Sequence, residues 1–278
     1  MRWFSAAFDA VCVLAVVILV FWSVDFYGTI DRNTVIQDRP ATEDEYSSDE
    51  EDKQLPAEGQ DSYPEIEYYN EAQVVTNAPV FQGINLEPPA DGPEILIYHT
   101  HTSEKYANGI GSVVDVGNLL ADLLEGYGYR VIHDTTINDA VYNESYDTAY
   151  KNVSSILEKY PTIYCVIDVH RDSATENMVA TSGGVNYAKL MLVVGTNVRL
   201  TNSQWQQNLS FAKALQINCA ERVEEIIKPI YLSENRYNQH LLPNSVITEV
   251  GGEENTLSEA LNATFILAES IVDSLEGK

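Results

Sequence analysis

From Glu94 onward the sequence alternates between short apolar runs and amphipathic stretches, and this alternation restricts the fold more than any other feature. "EILIY" (94–98) reads as a buried strand that opens into a polar loop. "VVDVGNLLADLLEGYG" (113–128) sets Val113, Val116, Leu119, Leu120, Leu123 and Leu124 at helical spacing, and Gly126 and Gly128 end it. "YRVIHD" (129–134) predicts a second strand, and "ESYDTAYKNVSSILEKYP" (144–161) a helix stopped before Pro161. "TIYCVIDVH" (162–170), "YAKLMLVVGT" (187–196) and "SVITEVG" (245–251) predict three more strands. The stretches 205–226 and 256–277 predict helices around the last of them. Strand and helix in alternation give an α/β fold, an open and mostly parallel sheet flanked by helices.

Ligands of such sheets bind outside the carboxyl ends of the strands. The first strand ends in His99, Thr100 and His101, with Glu104 beyond. The third ends in Asp168, His170, Arg171 and Asp172, and the fifth holds Glu249 before Gly251 and Gly252. A catalytic zinc takes three ligands from His, Asp, Glu or Cys and keeps one position for water. His101, Glu104 and His170 supply such a set, and Glu249 is the candidate to take and return a proton. The rival reading is that His99 and His101 only cap the strand, with Glu104 starting a turn. His99 and His101 share a face if the strand continues. Either or both can then be the ligand, and His99 also suits a donor behind the ligands. His133 reads as a packed or surface histidine, and His240 is left open. "HRDSATEN" (170–177) fits the kinase catalytic-loop pattern by chance, since neither a G-x-G-x-x-G loop nor D-F-G accompanies it. No G-x-S-x-G elbow appears, and "TSGG" (181–184) reads as a turn.

The N-terminal third differs. Residues 10–24 carry no charge, and 6–24 only Asp9, about the length a bilayer requires. With Trp22, Phe26 and Tyr27 at its end, 1–28 predicts a cytoplasmic end and an uncleaved transmembrane anchor. The rival, a signal peptide, lacks a small-residue cleavage site. The implied localisation is the cell membrane, single-pass, with the domain on the extracytoplasmic side. Residues 29–76 read as an acidic disordered linker, since Asp38 to Glu67 holds twelve acids and two bases. Residues 77–278 remain as one domain. A net charge of −26 excludes nucleic acid as a natural partner. Cys12, Cys165 and Cys219 give no disulfide framework.

The blocks "YHTHTSEKY", "YPTIYCVIDVHRDSA", "YAKLMLVVGTN", "WQQNLSFAKALQ" and "RYNQHLLPNSVITEVGGEENTLSEALNATFILAESI" resemble the sporulation stage II protein P family, from about Gly83 to Leu275. That family consists of membrane-anchored peptidoglycan hydrolases of endospore formers, and it is similar to zinc-dependent N-acetylmuramoyl-L-alanine amidases. The resemblance implies amidase activity and endopeptidase cleavage of cross-links during forespore engulfment. It also implies Zn2+ and, as partners, peptidoglycan and the sporulation stage II proteins D and M. It aligns His101 and His170 with the zinc histidines and Glu249 with the catalytic glutamate. The middle ligand is Glu104, with Asp115 as rival. The alternative function is an inactive peptidoglycan-binding or scaffold protein of the cell envelope.

Overall fold

The alternation takes shape as one six-stranded sheet with helices on both sides. It is seen in a computed structural model that describes residues 81–83, 91–174 and 178–278. In chain order the elements are β1 (Ile95–Tyr98), α1 (Val113–Gly126), β2 (Val131–His133), α2 (Ser145–Lys159) and β3 (Cys165–Asp172). Then come β4 (Val179–Ser182), β5 (Val185–Ala188), β6 (Leu190–Gly195), α3 (Trp205–Arg222), β7 (Tyr231–Ser233), β8 (Ser245–Gly252) and α4 (Leu257–Glu276). The sheet order is β2-β1-β3-β8-β6-β7. β2, β1, β3 and β8 are mutually parallel, whereas β6 runs antiparallel to β8 and parallel to β7.

Side chains alternate between faces along a strand, and here the alternation sorts core from site. Ile95, Ile97, Cys165, Ile167, Val169, Leu190, Leu192, Val194, Val246 and Val250 enter the main core, where α1, α3 and α4 pack. The alternate residues Leu96, Tyr98 and Val166 meet Ala149 and Val153 of α2 in a smaller cluster. Asp168 and His170 continue this second face, and Glu249 stands opposite His170 in register. α2 covers only part of that face.

Helix ends follow local chemistry. Ser112 and Asp115 close a capping box on α1, and Thr256 and Glu259 close another on α4. Gly277, at φ +71°, ends α4 in the left-handed conformation.

Two predicted boundaries move. The strand expected over 187–196 is two strands separated at Lys189, and β5 pairs with β4 as a hairpin outside the main sheet. The turn expected at 181–184 is its loop, with Gly183 and Gly184 both at positive φ, as a two-residue hairpin turn needs. The helix expected over 205–226 stops at Arg222.

The transmembrane helix expected within 1–28 is not found among the described residues, which do not include that stretch. Among the described residues no helix is long and apolar enough to cross a membrane. A crossing takes about 20 predominantly apolar residues, and α4, the longest helix described, carries Glu259, Glu269, Asp273 and Glu276. The membrane as a partner and the single-pass localisation, which rested on that helix, have no support among the described residues. Residues 1–28 and the linker 29–76 lie outside the described residues.

Candidate active site

β1 and β8 flank β3, so three polar strand ends that are distant in sequence meet on one edge of the sheet. β1 stops at Tyr98 and the chain turns. That turn separates the two histidines expected to share a face. His99 keeps the strand's alternation and points into the α1 side, where Nδ1 donates to the Val169 carbonyl (2.9 Å). Its Nε2 lies 2.8 Å from His133 Nε2. Burial lowers the pKa of both rings, that of His133 to about 4. A Cβ on Gly117 of α1 would come within 2.4 Å of His133 Nε2 and 2.8 Å of His99 Nε2. His99 is thus a packed histidine on the far side of the sheet.

His101, past the turn, reaches the other face. Its ring stacks on Tyr142, with centroids 4.7 Å apart, and stands edge-on to His170 at 5.3 Å. His170 Nδ1 is 3.5 Å from Glu104 Oε2, and Nε2 is 2.9 Å from Asp168 Oδ1, a charge contact without an aligned hydrogen bond. Glu104 Oε2 also accepts from the Arg171 backbone N–H (3.0 Å). The structure therefore gathers His101, Glu104 and His170 into one cluster. Asp115 is not part of it, because it accepts from Ser112 N and Oγ in the α1 cap.

Asp168 is what sequence reasoning named without giving it a role. It is buried and accepts from Thr100 N (2.9 Å) and Thr100 Oγ1 (2.7 Å). Burial alone would raise its pKa, but the His170 charge and the Thr100 hydrogen bonds outweigh this and hold it below the ordinary carboxylate value. Burial likewise opposes charge on His170, but Asp168, and Glu104 beyond it, keep that ring well above the ordinary imidazole range. His101 is pushed the other way, by burial and then by the neighbouring His170. Glu249 is raised to about 8, mainly by burial, with Glu104, Asp172 and Asp168 adding to the effect and His170 opposing it. Its Oε2 is buried without a hydrogen-bond partner, as is His101 Nδ1.

Glu249 opens onto a cavity of about 300 Å³ whose lining includes Tyr146, Met191, Val193 and Tyr237. Tyr146 stands edge-on to His101 at 5.6 Å and packs on Tyr237 at 5.2 Å. Tyr237 holds φ at +49°, a left-handed conformation that bulky residues seldom adopt. The tyrosines were missed, although Tyr142, Tyr146 and Tyr150 recur every fourth residue, the spacing of one helix face.

The donor set, two imidazoles and a carboxylate, suits zinc. Among the described residues no group of three or more His, Cys, Asp and Glu is already drawn to metal-binding dimensions, so these three would have to close around an ion. The arrangement defines an α/β protein with an acid–imidazole cluster at the carboxyl ends of adjacent parallel strands. Residues 23–272 match the family model of Stage II sporulation protein P, and the chain belongs to that family. It is 25% identical over 207 residues to Stage II sporulation protein P of Bacillus subtilis (strain 168), a match covering 64% of this chain and 51% of that protein. The chain thus spans about half the length of this relative. Among solved structures it is similar to an N-acetylmuramoyl-L-alanine amidase of Nostoc punctiforme, with a TM-score of 0.46 and 11% identity, covering 66% of this chain and 97% of that one. An N-acetylmuramyl-L-alanine amidase of Mycobacterium smegmatis gives a TM-score of 0.46 and 11% identity, covering 67% and 99%.

Proposed function

We propose that this chain hydrolyses peptidoglycan, as a zinc-dependent N-acetylmuramoyl-L-alanine amidase that also cuts peptide cross-links. Family membership supports the reading, and Glu249 carries it. This carboxyl is pushed up to about 8 by burial, and it has an unpartnered oxygen and an open cavity before it. A group that must take a proton and return it works best with a pKa close to the working pH. A purely wall-binding protein has no use for such a group.

His101, Glu104 and His170 would hold the metal. Bound there, zinc supplies a water acidic enough to ionise near pH 7. Asp168 fixes the His170 ring from the side opposite Glu104, as carboxylates behind metal-ligating histidines commonly do. Glu249 accepts the proton of the attacking water and passes it to the departing amine. The Tyr146 and Tyr237 rings wall off solvent on the open side.

The test is release of stem peptides from purified peptidoglycan, read together with metal content. Glu249→Gln should keep its zinc and fold while losing about 10²–10⁴ in rate. His170→Ala should lose the zinc. A Glu249→Gln variant with near-normal release refutes the proton-shuttle role, and a folded His170→Ala variant with full zinc refutes the ligand set.

A further inference from the structure

Beyond the Tyr146–Tyr237 pair lies a second cavity of about 580 Å³, and both rings line it as well. At its far end Tyr150 stacks on His240, with centroids 5.9 Å apart and planes within 7°. The tyrosine ladder of α2 and the turn before it therefore runs from His101, against Tyr142, to His240, against Tyr150. His240 Nδ1 is buried without a hydrogen-bond partner.

Charge separates this cavity from the rest of the molecule. The chain carries −26 overall, yet the lining holds two guanidinium groups, Arg199 and Arg236, against one carboxylate, Asp147. Arg199 Nε contacts Glu234 at 3.1 Å, with both side chains exposed, and Arg236 Nη1 donates to the Thr201 carbonyl at 3.0 Å. Each guanidinium has five N–H donors in a planar fork, so these contacts leave capacity for a ligand.

We propose that this cavity is a binding subsite for the carboxylate-bearing peptide portion of the substrate. The proposal rests on the peptidoglycan reading above. In an uncleaved glycan strand N-acetylglucosamine is uncharged, and the lactyl carboxyl of N-acetylmuramic acid is tied up in its amide bond to the stem. The sugars therefore offer no charge to two guanidinium groups. A peptide arm offers free carboxylates, which arginine pairs in a two-point geometry. The tyrosine faces accept its backbone and methylene groups, and the shared wall leads to Glu249.

The experiment is equilibrium binding to the full chain, with L-Ala-γ-D-Glu-L-Lys, its fully amidated form and chitotriose as probes. The wild type should bind the acidic peptide, more weakly as salt rises. Arg199→Gln/Arg236→Gln should lose at least tenfold in that affinity, and the amidated peptide should bind both proteins as weakly as the variant binds the acid. Unchanged affinity in the variant overturns the proposal, as does equal binding of the amidated peptide or displacement of the peptide by chitotriose. Should the variant unfold more easily, the wild type decides, since salt-insensitive binding overturns the proposal without any substitution. Binding is read apart from turnover. Charge-dependent peptide binding by a chain that cleaves nothing would leave the subsite standing and sink the hydrolase reading. Peptidoglycan cleavage with no such binding would do the reverse.

Discussion

Replacing Asp168 by Ala and by Asn tests how the site is held together. Asp168 is the buried acceptor for Thr100 N, for Thr100 Oγ1 and for the charge on His170. Ala removes all three contacts. Each buried donor left without an acceptor costs about 1–3 kcal/mol, so the two Thr100 donors alone imply roughly 2–6 kcal/mol. That is a large part of the ~5–15 kcal/mol that typically holds a domain folded. Asn keeps an oxygen for Thr100 N and can donate to Thr100 Oγ1, so it chiefly removes the charge facing His170. The two variants should therefore differ in pH dependence. His170 is raised above 6.5 in the fold, so its contribution is fully present below 6.5 and is lost as pH rises through the folded value. Asp168 is lowered from 3.8, so its contribution is present above 3.8 and is lost as pH falls through the folded value. The pair thus stabilises most between these limits. Urea unfolding of the full chain, with a chelator present so that no metal competes for His170, should show the Asn variant's deficit in that window. The deficit should shrink toward alkaline pH. A deficit for Asn that does not change with pH, or an Ala variant within about 1 kcal/mol of wild type, would refute the reasoning.

Gly117→Ala sets two effects against each other. Helix propensity favours Ala by about 1 kcal/mol, but the added Cβ would sit 2.4 Å from His133 Nε2. Overpacking of this kind costs about 1–3 kcal/mol. Net destabilisation in urea is expected, and a rise in stability would show that the His99–His133 contact yields freely. Thr256→Ala removes the acceptor for Glu259 N at the start of α4. The loss should be about 1 kcal/mol, seen as a lower thermal midpoint, and an unchanged midpoint would show that this cap does not hold the helix end.

The sheet was legible because apolar runs and two-residue alternation are strong signals, and β1, β3 and β8 carry both. β4, β5 and β7 carry neither. The hairpin strands are short and half exposed, and β7 has three residues at the sheet edge. Lys189 interrupts β5 and β6 inside a stretch that reads as one strand. At the site, the cluster of His101, Glu104, His170 and Glu249 followed from the strand-end rule. The place of Asp115 in the α1 cap did not, because an acid at the third position of a helix serves a cap as readily as a ligand set. Nor did the roles of His99 and Asp168. The first depends on where β1 ends, and the second on Thr100 lying across the β1–β3 pairing. The glycine-rich block after Glu249 also proves largely architectural. Gly251 turns at φ +73°, and Asn255 accepts from Gly252 N and donates to the Met178 carbonyl.

The division between the two faces of the sheet bears on how such a chain can diversify. Most of the apolar mass lies on the side of α1, α3 and α4, with only the small cluster under α2 on the other. Substitutions at the cavity-lining positions Tyr150, Arg199 and Arg236 meet none of the side chains of the main core. Descendants can drift in what they grip while inheriting the same foldable body, and the cost of trying a new specificity is confined to one side of a single layer.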